Sequence, residues 1–250
     1  GIDLEQLEEA FKSGVKLFLY SNPNNPTGVI YGPELMKELV EVARENKLLI
    51  FSDEIYDRLL LGDAVHVSTA SLCPDLPVIT FNGLSKSHVV CGFRCGWMCV
   101  SGPDELTKDY KAALTALAAM RLCGNALTQL VIPAALEDSA YTKQMMSPGG
   151  RLYEQSKAAC DALEKIPGLT FVRNQAAFYV FPKLDIEQFG ITDDRKFALD
   201  LLHEKHILLV AGSGFDWPEP DHFRLVLLPE AQELKKAIED IGDFLSTYHQ

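Results

Sequence analysis

Basic residues are scarce in this sequence, which has 23 Lys and Arg against 35 Asp and Glu. The formal net charge of -12 argues against a nucleic-acid partner, because neutralising phosphates requires clustered lysines and arginines that are missing here. The most apolar long stretch, 112–120, is too short to cross a bilayer and is flanked by charged residues, so we expect no membrane partner. The start of the sequence is acidic and amphipathic rather than signal-like, and we expect a cytoplasmic protein.

Closely spaced cysteine pairs are also missing, although the chain has six cysteines. Cys91, Cys95 and Cys99 recur every fourth residue and would share a face of an extended segment, so they could be imagined as metal ligands. Metal sites built from cysteines normally use closer pairs such as Cys-x-x-Cys, and the sequence has no such pair. We therefore expect no metal site and interpret these cysteines as small, reduced and buried side chains beside a strand.

Length and apolar periodicity predict a globular α/β protein. The chain has 250 residues, with 47% hydrophobic and 23% charged residues, and can bury a sizeable core. Strands are predicted at 15–20, 48–51, 76–81 and 95–100, with helices at 3–13, from 33, and over 103–136 with a break near 124–125. The nearly uninterrupted apolar run at 15–20 is typical of a parallel strand covered on both faces. This alternation implies crossover connections and a mostly parallel sheet with flanking helices.

A short segment rich in Pro and Gly, 147–150, is the best candidate for a linker. It divides the sequence into a larger domain at 1–147 and a smaller C-terminal domain at 148–250. The second part again alternates helices and strands. Its helices are predicted at 151–166, 193–203 and from 229, and its strands at 169–172, 178–181, 207–210 and 223–227.

Lys86 is in an unusual position for a lysine. A predicted strand ends in a small polar turn that carries Lys86 between two serines, with no charged neighbour from Phe81 to Phe93. Partly apolar surroundings favour the neutral amine, which is the state that attacks a carbonyl. A lysine that forms a Schiff base is therefore one interpretation, and a solvated loop lysine is the ordinary one for any isolated lysine.

Three other motifs favour the interpretation of Lys86 as a lysine that forms a Schiff base. A rigid Pro/Asn turn at 22–28 follows the first strand, an acidic patch with Asp53 ends the second, and Arg224 lies inside an alternating strand. Each motif also has an ordinary structural explanation. The turn could be a plain connector, Asp53 a helix cap, and Arg224 part of a partly buried salt bridge. However, the carboxyl ends of parallel strands are where open α/β sheets bind ligands.

Taken in order, these motifs resemble the fold-type I pyridoxal-phosphate aminotransferases. The resemblance rests on the spacing from Asp53 to Tyr56, on Ser85 next to Lys86, and on Arg94 eight residues after that lysine. It spans essentially the whole chain. Finer details resemble the alanine aminotransferase branch, namely Met120-Arg121-Leu122-Cys123, Gly212-Ser213-Gly214-Phe215 and Leu227-Leu228-Pro229.

The resemblance implies pyridoxal 5'-phosphate as cofactor. Lys86 would form an imine with the cofactor and then move the proton at the α carbon of the substrate. Asp53 would keep the pyridine nitrogen protonated, because an opposite charge at contact favours the charged form. Asn25 and Tyr56 would donate hydrogen bonds to the phenolic oxygen of the ring.

The remaining matched residues are assigned to anionic groups. Arg94 would bind the cofactor phosphate, aided by the hydroxyl of Ser85. Arg224 would bind the substrate carboxylate with two parallel hydrogen bonds, which a lysine cannot make, and Asn25 could also contact that carboxylate.

The sequence departs from the family pattern at three places. Gly83 stands where many relatives have a serine, which predicts less side-chain contact to phosphate. Ala176 stands where the family usually has a glycine. The family also has a stretch ahead of the first strand found here, so the resemblance implies a fold-type I large domain incomplete at its N-terminus plus a smaller C-terminal α/β domain. We expect such a fragment to be inactive by itself.

The resemblance implies transamination between an amino acid, alanine in this branch, and a 2-oxo acid, 2-oxoglutarate. It also implies a homodimer for the full-length protein. Two other readings use the same residues differently. A pyridoxal-phosphate lyase would use the same lysine, aspartate and arginine for elimination or decarboxylation, and a non-catalytic aminotransferase-like module would only bind a ligand.

Overall fold

The computed structural model describes residues 2–250, which form two compact units. Unit 1 comprises the chain up to Pro23 together with Ile30–Leu60 and Ala64–Thr142. Unit 2 comprises Asn24–Val29, Leu61–Asp63 and Lys143–Gln250. The domain limits inferred from the sequence, 1–147 and 148–250, stay a prediction.

The sheet of unit 1 has the strand order β1-β2-β3-β4. Its strands are β1 (Leu17–Ser21), β2 (Leu49–Asp53), β3 (Val78–Gly83) and β4 (Gly96–Ser101). The first three strands are parallel, and β4 is antiparallel to β3. A further parallel strand would need a long crossover connection, and the short segment between β3 and β4 does not supply one. The predicted mostly parallel sheet with flanking helices is confirmed.

Unit 1 contains the helices predicted at 3–13, from 33 and over 103–136, together with two four-residue helices that the sequence did not predict. They are α1 (Leu4–Lys12), α2 (Pro33–Glu45), α3 (Thr69–Leu72), α4 (Leu84–Ser87), α5 (Asp104–Arg121) and α6 (Ala126–Glu137), and α7 (Ala140–Met146) follows them. Helix α2 begins at Pro33, where a missing N–H has no intrahelical partner to lose. Its buried face recurs every three or four residues, at Met36, Leu39, Val40 and Ala43. Within residues 2–250, no helix is both long enough and apolar enough to span a bilayer.

Two expectations about side chains in unit 1 were wrong. The apolar run predicted that β1 is covered on both faces, yet Leu19 is 63% exposed, because only the face that carries Phe18 and Tyr20 is packed within the described residues. Cys91 and Cys99 are exposed rather than buried. Cys91 begins an exposed 3-10 turn, and Cys99 lies on β4, where the neighbouring Met98 on the opposite face is exposed as well. Across residues 2–250, no group of three or more potential ligand side chains is arranged to hold a metal ion.

Unit 2 contains longer helices around short strands. The helices are α8 (Arg151–Leu163), α9 (Ile186–Phe189), α10 (Asp194–Lys205) and α11 (Ala231–Thr247). The strands are β5 (Leu169–Thr170), β6 (Tyr179–Val180), β7 (Lys183–Leu184), β8 (Val210–Ala211) and β9 (Phe223–Val226). β9 is the central strand of a three-stranded antiparallel sheet with the order β6-β9-β8. Helix α11 packs against α8 through a stripe of buried residues at helical spacing, which includes Leu234, Ile238, Ile241 and Leu245.

Candidate active site

The carboxyl ends of the parallel strands in unit 1 lie side by side. Ser21 at the end of β1 pairs with Asp53 at the end of β2, and Asp53 pairs with Phe81 in β3. Lys86 lies in helix α4, immediately after β3, so it emerges from the same edge of the sheet. The structure therefore brings together two of the predicted site residues, Asp53 and Lys86.

The carboxyl group of Asp53 is half-buried, and its charge is only partly compensated. Oδ1 accepts a hydrogen bond from the backbone N–H of Ile55 at 3.1 Å. Burial raises the pKa of Asp53, while the Ile55 bond and the positive charge of Lys86 act in the opposite direction without cancelling that rise. A further positive charge beside the carboxyl would therefore favour its ionised form.

Glu54 forms a buried hydrogen-bond network that the sequence did not predict. The residue is 3% exposed, and Oε1 accepts hydrogen bonds from Ser52 Oγ at 2.9 Å and from Thr69 N at 3.1 Å. Oε2 lies 3.1 Å from His66 Nε2. Burial alone would raise the pKa of Glu54, but His66 and the hydrogen bonds outweigh burial and lower it. Adjacency to Asp53 is the one sequence signal that could have drawn attention to this residue.

Two further predicted residues lie near these strand ends. Tyr56 is buried in the turn after β2, and Ser85 is half-buried beside Lys86 in α4. Gly83 lies two residues before Ser85 at the end of β3, where it pairs with Gly96 at the start of β4. A Cβ at Gly83 would lie only 2.9 Å from Cys95 O, so the serine expected from the family would force a shift of backbone here.

Arg94 lies at the end of the 3-10 helix Cys91–Phe93, with a left-handed φ of 52°. The side chain is exposed, and its Nη1 donates to Cys91 O at 2.7 Å; among the described residues, no bond joins it to Ser85. Arg94 lines a cavity of about 600 Å³ in unit 1 together with Arg121 and Asn125, which caps the amino end of α6. Two guanidinium groups near a helix amino end favour an anion. The sequence by itself indicates no role for Arg121 in binding.

The predicted pair Asn25 and Arg224 is brought together in unit 2. Nη1 of Arg224 donates to Asn25 Oδ1 at 2.9 Å. In β9, residues alternate between the buried face and the face that carries Arg224, as the two-residue period of a strand requires. Nε of Arg224 is buried and has no hydrogen-bond partner among the described residues. Because Nε is buried, bulk water cannot accept a hydrogen bond from it. A carboxylate oxygen at this position would satisfy the donor.

The turn that carries Asn25 is attached to unit 2 by a close backbone contact. The carbonyl of Gly28 accepts hydrogen bonds from Gln175 N at 2.8 Å and from Ala176 N at 3.0 Å. A Cβ on Gly28 would lie 2.5 Å from Tyr179 O, so only glycine allows this approach. Ala176, the departure from the family glycine, is fully buried in this contact.

A family model described as aminotransferase class I and II matches residues 1–241. The glutamate-pyruvate aminotransferase AlaA of Escherichia coli (strain K12) is 46% identical over 248 residues, which are 99% of this chain and 61% of that protein. An alanine aminotransferase of Mycobacterium tuberculosis (strain ATCC 25618 / H37Rv) is 44% identical over 99% of this chain and 58% of its own length. The chain thus spans about three fifths of the length of these relatives.

Solved structures agree with the sequence matches. An aminotransferase from Escherichia coli superposes with a TM-score of 0.93 at 45% identity, covering 97% of this chain and 61% of that one. An alanine aminotransferase from Pyrococcus furiosus gives a TM-score of 0.91 at 35% identity, covering 98% and 61%. With the family model matching nearly all of the sequence, this chain belongs to the class I and II aminotransferases.

Proposed function

We propose that this chain carries cofactor-binding and substrate-binding residues of a pyridoxal-phosphate aminotransferase that exchanges an amino group between alanine and 2-oxoglutarate. The names of the relatives, glutamate-pyruvate aminotransferase and alanine aminotransferase, support this substrate pair. The observation that most strongly supports the chemistry is the placement of Asp53 and Lys86 at the ends of adjacent parallel strands.

The side chains of unit 1 fit the chemical groups of this cofactor. Lys86 offers an amine for the aldehyde, and Asp53 offers a carboxyl whose ionised form a pyridinium charge would favour. Arg94 lines a cavity that favours an anion such as the phosphate. The family resemblance assigns the hydroxyl of Ser85 to the same phosphate and Tyr56 to the phenolic oxygen as a hydrogen-bond donor. When bound, pyridoxal phosphate supplies a sink for the electron pair left on the α carbon of the substrate.

Two residues of unit 1 would act on protons. The amine of Lys86, once released from the cofactor, would take the proton from the α carbon of the substrate and return it at the neighbouring position, acting as a general base and then as a general acid. The carboxylate of Asp53 would hold a proton on the pyridine nitrogen, because the opposite charges stabilise each other in a half-buried site.

Two residues of unit 2 would bind and orient the substrate. Arg224 would hold the α-carboxylate through its buried Nε and a neighbouring N–H, in the fork geometry that suits a carboxylate. Asn25 keeps the guanidinium in place through the 2.9 Å bond to Nη1. We retain the assignment of Asn25 to the phenolic oxygen of the cofactor as a proposal from the family resemblance.

A homodimer in the cytoplasm is also proposed. Large apolar side chains are exposed along α5, α6 and the segment between them, among them Met120 at 80% and Leu122 and Leu127 at 78% each. Exposed apolar surface of this kind marks an interaction site in proteins that remain in solution. The cysteines of the described chain are free thiols, which suits a reducing compartment.

The cofactor assignment can be tested by trapping the imine. The protein is mixed with pyridoxal phosphate, its absorption spectrum is recorded, and the mixture is reduced with borohydride and digested for mass spectrometry. We expect a yellow chromophore that reduction removes, and a pyridoxyl group on the peptide that carries Lys86. Lys86→Ala should abolish both signals, whereas Lys108→Ala, at an exposed lysine of α5, should retain them. A specific adduct that survives in Lys86→Ala would remove Lys86 from this role.

Product analysis separates transamination from a lyase reaction. Activity in this and the following experiments is measured on the full-length protein, because this chain spans only about three fifths of the length of its relatives. With alanine and 2-oxoglutarate, we expect pyruvate and glutamate in equal amounts and no release of ammonia. Pyruvate that accumulates with ammonia and without glutamate would favour the lyase and contradict the proposed function.

A further inference from the structure

Arg224 lies on the central strand of the three-stranded sheet in unit 2, with a neighbouring strand on each side. Val210 of β8 pairs with Arg224, and Tyr179 of β6 pairs with Val226 of β9. Residues two apart on a strand share a face, so Tyr179 is a diagonal neighbour of Arg224 across the sheet. The arginine is therefore within reach of side chains that come from both flanking strands.

Two aromatic rings contact Arg224, one from β6 and one from the turn that follows β8. Cζ of Arg224 lies over the ring of Tyr179 and over the ring of Phe215, 4.8 Å from each ring centroid. The negative face of an aromatic ring attracts a guanidinium group, and the attraction is larger where water is excluded. Tyr179 is 5% exposed, and Phe215 is half-buried. Contact with two ring faces restricts how the guanidinium group can rotate.

Phe215 is itself held in place by its turn. It ends the 3-10 helix Gly212–Phe215, which directly follows β8. Ser213 donates from its backbone N to Asp194 Oδ2 at 2.7 Å and from its hydroxyl to Asp194 Oδ1 at 2.8 Å. Gly212 N donates to His222 O, next to the start of β9, at 2.7 Å. A buried carboxylate and the central strand thus fix the turn that presents the ring.

The hydrogen-bond pattern shows which edge of the guanidinium group remains available. Nη1 is bonded to Asn25 Oδ1, whereas Nε is buried without a partner among the described residues. Buried N–H groups are almost always paired, and an unpaired one calls for a ligand or a bound water. The Nε edge of Arg224 is therefore the part of the group that a planar anion would bind.

We propose that Tyr179 and Phe215 are positioning residues for Arg224, because their rings hold the guanidinium group so that its Nε–H stays available to the substrate carboxylate. The inference rests on the proposed function and deepens it, since it names what sets the selectivity of this site for amino acids over simple amines. Without the rings, Arg224 would keep its charge and lose its fixed orientation, so selectivity for a carboxylate should fall.

The test uses binding and selectivity rather than activity alone. The dissociation constant of propionate, which has the carboxylate and lacks the amine, is measured by calorimetry on the protein mixed with pyridoxal phosphate. The ratio of kcat/KM for alanine to that for ethylamine is measured in parallel. Phe215→Leu and Tyr179→Leu should each weaken propionate binding about tenfold and lower the ratio by a similar factor.

Conservative variants separate a positioning role from a general structural one. Tyr179→Phe and Phe215→Tyr keep a ring and should stay within about twofold of the parent in both measurements. Trp217→Phe changes a ring of the same aromatic cluster that does not lie over Arg224, and it should also leave both values unchanged. Circular dichroism identifies any variant that fails to fold, and the half-buried Phe215 is the site at which leucine is tolerated best.

Three results would overturn the inference: a parent protein that does not bind propionate, a folded Phe215→Leu with parental affinity and selectivity, or ring-for-ring variants as defective as the leucine variants. Failure of the proposed function looks different. In that case, no amino group is transferred and no reduced adduct forms on Lys86, whatever the propionate measurements give.

Discussion

Arg224 donates a 2.9 Å hydrogen bond from Nη1 to Asn25 Oδ1, and this bond joins two residues of unit 2 that are 199 positions apart in the chain. An early turn thereby orients an arginine on a late strand. The bond occupies one edge of the guanidinium group and leaves the buried Nε without a partner among the described residues. A site of this kind recognises a carboxylate by geometry as well as by charge.

Arg224→Lys should impair substrate binding although it keeps the charge. A lysine is a point donor and cannot serve both Asn25 and a two-pronged carboxylate contact. Loss of a hydrogen bond to a charged group costs about 1.5–3 kcal/mol, which corresponds to a rise of about 10- to 100-fold in the KM for alanine. Arg173→Lys, at an exposed arginine of unit 2, is the matched control. Equal KM values for the two variants would contradict the assignment.

Gly28→Ala should destabilise unit 2 more than the same change at Gly62. Both glycines have positive φ, at 69° and 58°, so alanine at either position costs about 1–2 kcal/mol of backbone strain. Only at Gly28 would the new Cβ also meet backbone, 2.5 Å from Tyr179 O, whereas Gly62 faces open space. We expect a further loss of about 1–3 kcal/mol from this overlap.

Tryptophan fluorescence can measure this difference. Trp217 lies in unit 2, so a Trp97→Phe background makes the emission report on that unit during urea unfolding. Gly28→Ala should also raise the KM for alanine, because the turn that holds Asn25 is displaced. Equal unfolding midpoints for the two alanine variants would show that the close backbone approach contributes nothing.

Local sequence patterns were sufficient to predict the strands and helices that carry the residues of unit 1 in the candidate site. The parallel strands, the break between α5 and α6, and the start of α2 at Pro33 follow from apolar periodicity and from residues that begin or end helices. Asp53 and Lys86 could be placed at one sheet edge because parallel strands end on the same side.

Pairings between distant side chains could not be predicted in this way. His66 reaches Glu54 through a turn of irregular structure, and no periodicity relates the two positions. The rings that contact Arg224 come from β6 and from the 3-10 helix that follows β8, so their contact depends on the order of the strands in the sheet rather than on spacing along the chain. Exposure was also misjudged at Cys91 and Leu19, because an apolar or small residue type does not reveal which face of an element is covered.

Glu54→Gln should change how the stability of unit 1 depends on pH. The folded protein holds the pKa of Glu54 below its ordinary value of 4.5, so the unfolded chain takes up the proton first as the pH falls. The stabilising contribution of this carboxylate is therefore complete above about pH 4.5 and is lost as the pH falls through the lower pKa of the folded state. Glutamine lacks the charge that pairs with His66, and we expect about 1–3 kcal/mol less stability at neutral pH.

The change in the free energy of unfolding with pH below about pH 4.5 is the sharper test of the role of Glu54. Urea unfolding of unit 1 is followed by Trp97 fluorescence in a Trp217→Phe background between pH 7 and pH 3. The difference between parent and Glu54→Gln should shrink as the pH falls. Glu38→Gln, at an exposed glutamate of α2, should run parallel to the parent, and a difference at Glu54 that stays constant down to pH 3 would disprove the linkage.

Asp53→Asn should stabilise the cofactor-free protein and abolish most of its activity. Burial raises the pKa of Asp53, so ionisation opposes folding: the penalty is absent below the ordinary value of 3.8 and complete above the raised pKa of the folded state. Asparagine removes the charge and can keep the bond from Ile55 N, and we expect Tm at pH 7 to rise by about 2–4 °C. Turnover should fall at least about 100-fold, because nothing would then hold the proton on the pyridine nitrogen.

Opposite signs for stability and turnover are what separate a functional Asp53 from a structural one. Thermal unfolding of the cofactor-free protein and the alanine-dependent reaction are measured on the same preparations, with Asp109→Asn at an exposed aspartate of α5 as control. If the carboxylate mainly held the end of β2 in place, Asp53→Asn would lower Tm and turnover together. If instead the half-buried charge lowers stability and takes part in the chemistry, Asp53→Asn should be more stable and much less active than the parent. An unfavourable charge of this kind is retained where function requires it.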